Sequence, residues 1–145
     1  IRNYMTIPVF IPTEKIKSVE PFVNESIEKA LKYSGNHYNL EDIQKELNEG
    51  KAQLWILWNE KRKNKYQGCI VTKILKRSNT KSLNLFIVTG KDKKSWQDKI
   101  ATLEDYAKQE GCTHLETYAR PGWSRILKKY DYKITHYLLE RKLED

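Results

Sequence analysis

The chain is poor in the residues that build special scaffolds. Among 145 residues there are two cysteines, four prolines, six glycines and one methionine. Cys69 and Cys112 cannot make a disulfide framework, and neither belongs to a CxxC or Cys/His cluster. A reduced, intracellular setting is expected. His37, His114 and His136 stand alone, without metal-ligand spacing, so no metal is expected. No apolar run approaches the ~18–20 residues that cross a bilayer, and the opening IRNYMTIPVF has no signal-peptide core. Repeats and low-complexity linkers are missing, which leaves one domain over 1–145.

What the chain has in excess is positive charge, +8 formally. Residues 1–50 carry six Lys/Arg against eight Asp/Glu, and residues 91–145 carry twelve against ten. Residues 51–90 carry nine against one, so the surplus is local. It gathers in Lys61–Lys65, Lys76-Arg77 and Lys81. Such a field attracts phosphates, acidic proteins or nucleic acid without choosing among them, and solvated hairpin tips would carry it equally well.

The periodicity predicts β-α-α-β-β-β-α-β-α-β. Ile7–Ile11, an apolar opening interrupted by Pro8 and Pro12, reads as an edge strand. Ile16, Val19, Val23, Ile27 and Leu31 recur at helical spacing, with Pro21 implying a kink or a late start. Asn39 can cap a second helix carrying Leu40, Ile43 and Leu47, stopped by Gly50. Gln53–Trp58, Gly68–Leu75 and Leu83–Thr89 form an antiparallel meander. A helix near 96–110 follows, with Ser95 and Asp98 as its capping pair and Gly111 as its stop. His114–Ala119 reads as a strand, Trp123–Lys129 as a helix and Ile134–Glu140 as a last strand. The strands flanking the 96–110 helix should run parallel, because a crossover joins them. Trp55, Trp58 and Trp123 read as core aromatics, and Cys112 as packing.

The junction Val88-Thr89-Gly90-Lys91-Asp92-Lys93-Lys94-Ser95-Trp96 is the best place for chemistry. A strand enters a helix through a lysine loop, and a helix N-terminus with added cations suits phosphate. The 61–65 cluster should lie at the same end of the sheet. GKDKKS lacks the second glycine and the Gly-Lys-Ser/Thr ending of a P-loop, and no Rossmann fingerprint is present.

The segment Trp96–Tyr132 reads W-x3-I-x2-L-x2-Y-A-x3-G-C and then E-x3-R-P-G-W-x2-I-L-x2-Y-x-Y. With the meander before it, this resembles the GNAT family of acetyl-CoA-dependent N-acetyltransferases, most closely the short GNAT-like proteins of tailed phages. The resemblance implies a mixed, mostly antiparallel α+β sheet flanked by helices. It implies acetyl-CoA as co-substrate, with its pyrophosphate on the loop after the fourth strand and its pantetheine arm in a splay between the fourth and fifth strands. The coenzyme-binding residues would be Ile87, Val88, Thr89, Gly90, Lys91, Lys93, Lys94, Ser95 and Trp96. The family's loop carries Q/R-x-x-G-x-G/A, whereas Gly90 is the only glycine here and KDKK takes the place of the rest. Leu127 stands at the tyrosine that many members use to protonate the thiolate, and Asp131 at a glycine. Tyr130 or Tyr118 would then serve as the acid. Glu116 is either the base for the amine or an exposed strand carboxylate.

Three functions follow in order. The first is acetyl transfer to an unidentified amine. The second is a non-catalytic phage structural protein on the same scaffold, with virion proteins as partners, located in the host cytoplasm or the virion. The third is a nucleic-acid-binding module using the 61–65 and 76–81 clusters, for which no helix-turn-helix, zinc-finger or RNP signature is present.

Overall fold

The computed structural model describes residues 6–33, 37–90, 96–119 and 121–143. Its elements are β1 (Ile7–Ile11), a 3-10 turn (Thr13–Lys15), α1 (Ile16–Tyr33), α2 (Leu40–Asn48), β2 (Gln53–Trp58), β3 (Tyr66–Lys76), β4 (Lys81–Val88), α3 (Trp96–Gln109), β5 (His114–Thr117) and α4 (Pro121–Lys128). They form one five-stranded sheet in sequence order, β1-β2-β3-β4-β5. Every pairing is antiparallel except β4 with β5, which is parallel across the α3 crossover as expected.

Two apolar layers sandwich the sheet. On one face Leu54, Ile56, Cys69 and Val71 pack against Ile16, Val23, Ile27 and Leu31 of α1 and Ile43 and Leu47 of α2. On the other, Trp55, Leu57, Ile70, Leu83 and Leu85 meet Ile100, Leu103 and Ala107 of α3 and Leu127 of α4. The doubly apolar run of β2 is thus explained: Leu54 to Leu57 are all buried, alternating between the two layers. Trp55 is buried, and Trp58 and Trp123 are half-buried against the two layers.

Local signals account for most of the boundaries. At the start of α2 the Asn39 N–H donates to Asp42 Oδ2 at 2.9 Å, completing a capping box. Gly50 and Gly111 close α2 and α3 where expected. α1 neither starts late nor stops at Pro21: it begins at Ile16 and runs through the proline to Tyr33. Pro21 and Lys17 are both exposed, and the Lys17 carbonyl has no helical N–H donor at Pro21. Ser95, the expected cap of α3, lies outside the described residues.

One expected strand is not formed. Residues 134–140 carry no strand pairing, and Tyr137, Leu138 and Leu139 are 78%, 76% and 88% exposed. The chain turns at Asp131 (φ 67°), and Tyr132 Oη then donates to Glu104 Oε2 of α3 at 2.7 Å. Eight residues on, Glu140 pairs with His37 in the α1–α2 connection at 3.3 Å. Held at both ends, this segment passes from one face of the sheet to the other instead of running along β5. The four residues of β5 also offer few ladder bonds to a sixth strand.

Candidate functional site

The parallel pair β4–β5 is short. It is in register only from Ser82↔His114 to Leu85↔Thr117, although β4 continues to Val88. The parting coincides with a β-bulge. In the β3–β4 ladder Thr72 faces Leu85 and the next residue back, Val71, faces Ile87, so Phe86 is the extra residue. Packing shows the same slip, because Leu83 and Leu85 face α3, Phe86 and Ile87 both face α1–α2, and Val88 faces α3 again. A bulge bends its strand and increases the local twist. Here the bulge falls where the β4–β5 ladder ends, and among the described residues no strand lies along that edge of 86–88.

Two glycines bring the end of β4 close to β3. A Cβ on Gly68 would stand 2.6 Å from Gly90 Cα and from the Thr89 carbonyl oxygen. A Cβ on Gly90 would stand 3.2 Å from Leu57 Cδ1. Thr89 is tied down beside them, its N–H donating to the Cys69 carbonyl at 2.9 Å and its hydroxyl accepting from the Cys69 N–H at 2.8 Å. β2 and β4 are both antiparallel to β3, so the exposed 61–65 turn lies at the end of the sheet where β4 stops. Of the expected coenzyme residues, Ile87 is buried, Val88 and Thr89 are half-buried, Gly90 is exposed and Trp96 opens α3. Lys91, Lys93, Lys94 and Ser95 lie outside the described residues.

The expected acid–base residues are not brought together. Leu115 packs toward α3, which puts Glu116 on the opposite, α1–α2 face, whereas Tyr130 packs into the α3–α4 layer. Tyr118 is 70% exposed just beyond the last paired residue of β5. Leu127 is buried in the α3–α4 layer, which gives its apolar side chain a packing role. Burial pushes both cysteine thiols up, so neither is a ready nucleophile at neutral pH.

Glu116 is firmly held. Its carboxylate accepts two bonds from Arg77, Nη1 to Oε1 at 2.8 Å and Nη2 to Oε2 at 3.0 Å. Asn84 Nδ2 adds a third to Oε2 at 2.8 Å. The Arg77 bonds above all, with help from Asn84 and Ser82, outweigh partial burial and hold the carboxyl down to about 2. Both oxygens are therefore engaged, and at neutral pH the group is an anion with little appetite for a proton. Because the shift is downward, the stability it lends is complete above about pH 4.5 and lost as pH falls toward 2. Glu116→Gln should accordingly flatten the fall of Tm between those pH values. An identical pH–Tm curve in the variant would mean that the pair contributes nothing to folding.

The bulge and the Arg77–Glu116 pair were not read from sequence. A signal for the bulge exists: Leu83-Asn84-Leu85 alternates, and Phe86-Ile87-Val88 abruptly does not. The ion pair joins residues 39 apart and has no local signature.

Comparison with known proteins bears on this geometry. No family model and no curated sequence matches the chain. Solved structures do. Aminoglycoside acetyltransferase meta-AAC0020 from an uncultured soil metagenomic sample, in complex with sisomicin, superimposes with a TM-score of 0.64 over 98% of this chain and 99% of its own, at 12% identity. Aminoglycoside N-acetyltransferase AAC(6')-Iy in complex with CoA gives 0.64 over 95% and 94%, at 8% identity. A GNAT family acetyltransferase of Staphylococcus aureus gives 0.59 over 96% and 99%, at 14% identity. At such identities the likeness is one of fold: the chain has a GNAT-like α+β fold.

Proposed function

We propose that the protein is an acetyl-CoA-dependent acyltransferase that acetylates an amine. The observation that carries this is the end of the β4–β5 ladder at Leu85, next to the Phe86 bulge, which leaves 86–88 without a strand partner on that side among the described residues. A strand edge without a neighbouring strand offers N–H and C=O groups to an extended amide-containing chain, as in strand addition. The pantetheine arm is such a chain. Further along, the connection from β4 to α3 carries Lys91, Lys93 and Lys94 and leads into a helix N-terminus, a combination suited to the pyrophosphate. Lysine charge would here take over the work of backbone amides in glycine-rich loops.

Acetyl-CoA supplies an activated acetyl group: as the amine nitrogen bonds to the carbonyl carbon the C–S bond breaks, the amine loses a proton and the thiolate gains one. The protein's part is to orient the thioester along β4, exclude water and move those protons. Tyr118, exposed at the opening, is the first candidate to protonate the thiolate, with Tyr130 the second. Glu116, locked as an anion, suits the binding of a cation better than the uptake of a proton.

Calorimetry with acetyl-CoA tests the reading. Micromolar to submillimolar binding is expected, and Lys93→Glu with Lys94→Glu should weaken it at least about tenfold by reversing two charges beside the phosphates. No binding at millimolar ligand would end the proposal, and unchanged affinity in the double variant would remove the pyrophosphate from this loop.

A further inference from the structure

Lys73, Asn84 and Glu116 lie directly opposite one another on β3, β4 and β5, forming one rung across the α1–α2 face. Each charge on the rung is matched by a protein partner. Lys73 pairs with Glu46 of α2 at 2.6 Å and sits 4.1 Å above the Phe86 ring. Glu116 is matched by Arg77 from the turn between β3 and β4. The two pairs differ in how they are held. The Lys73 side chain is 18% exposed and roofed by α2, whereas that of Arg77 is 47% exposed and reaches in from a turn at the surface. Asn84 is buried, and its amide donates to Glu116 Oε2 at 2.8 Å. The carboxylate is thus held by a buried residue and covered by a half-exposed cation, whose Nη1 also donates to Ser82 Oγ at 3.1 Å. The rung lies two residues along β4 from the bulged Phe86, about 7 Å at strand rise.

We infer that the Arg77 guanidinium occupies the place of a cationic group of the acceptor, so that Arg77 is a displaceable plug and Glu116 the acceptor's anchoring anion. The inference rests on the acetyltransferase reading and specifies its substrate class. The acceptor is an amine with a second positive group, which sits on Glu116 while the reacting nitrogen, unprotonated, lies near the end of β4. Displacing Arg77 leaves no uncompensated charge in the site, because the incoming cation replaces it and the guanidinium returns to water. A bidentate guanidinium is a strong competitor, so affinity in the intact protein is restrained by the plug.

Thiol release from acetyl-CoA with putrescine and with butylamine tests this in the full chain. In Arg77→Gln the KM for putrescine should fall about tenfold at unchanged kcat, while the KM for butylamine moves less than about twofold. Glu116→Gln should bring the selectivity for putrescine over butylamine close to one. Arg77→Lys keeps a cation at the turn without the two-pronged grip; it should lower the putrescine KM about threefold, and it serves where the glutamine variant folds poorly. A putrescine KM that is unchanged or raised in the Arg77 variants, or that moves in parallel with butylamine, overturns the plug. Calorimetry of putrescine against Arg77→Gln without coenzyme separates this inference from the reading beneath it. Binding there that is lost on adding Glu116→Gln supports the cation site even if no acetyl transfer is found. Absence of that binding ends the inference whatever the turnover.

Discussion

Replacing Gly68 by alanine should cost roughly 3–5 kcal/mol, lowering Tm by about 10 °C in a domain of this size. The new methyl would lie 2.6 Å from Gly90 Cα and from the Thr89 oxygen, which are backbone atoms with no rotamer to yield. Gly68 also has φ +148°, a region that side chains disfavour. Relief would require β3 and β4 to separate where Thr89 bonds to Cys69, so the damage falls on the strand end that shapes the site. Thermal unfolding reads the effect. A Tm within about 2 °C of the parent would show that the two strand ends are not in close contact.

Deleting Phe86 should leave the fold standing and reduce acetyl-CoA affinity by about a hundredfold or more. With Phe86 absent, Leu85 still faces α3, Ile87 still faces α1–α2 and Val88 still faces α3, so regular alternation is restored with no buried residue turned outward. The losses are the edge-to-face contact of Phe86 with Tyr38, at 5.2 Å between centroids, and its seat under Lys73. These cost about 2–3 kcal/mol, which a domain of ordinary stability survives. What disappears is the bulge where the β4–β5 ladder ends, and with it the edge proposed for the pantetheine arm. Circular dichroism and calorimetry on the same sample separate the two effects. Native secondary structure with parental affinity would mean that the opening does not depend on the bulge.

Much of the architecture was legible because burial writes itself into spacing. The stripe Ile16, Val23, Ile27, Leu31 gave α1, and the crossover gave the parallel pair. Legibility ended where partners decide the outcome. Ile134–Glu140 has the composition of a strand, but pairing needs an available edge along its path, and Tyr132 and Glu140 are tethered on different faces of the sheet. Of the two outcomes read from Pro21, a kink or a late start, the late start does not occur, because α1 already begins at Ile16. At the site, the lysine loop and the local charge surplus were visible residue by residue. The bulge hid inside a run of apolar residues that a strand covered on both faces would also show. Glu116 was recognised as a strand carboxylate, but its fixed charge comes from Arg77, Asn84 and Ser82, distant in sequence and adjacent only in the sheet.

The central claim is that acetyl-CoA lies along the free edge of β4. Amide chemical-shift mapping during an acetyl-CoA titration of the isotopically labelled protein tests it most directly. Saturable shifts concentrated at Phe86 to Gly90, Thr117 to Ala119 and the first turn of α3 are predicted. Saturable shifts centred elsewhere, or none at millimolar coenzyme, would contradict it.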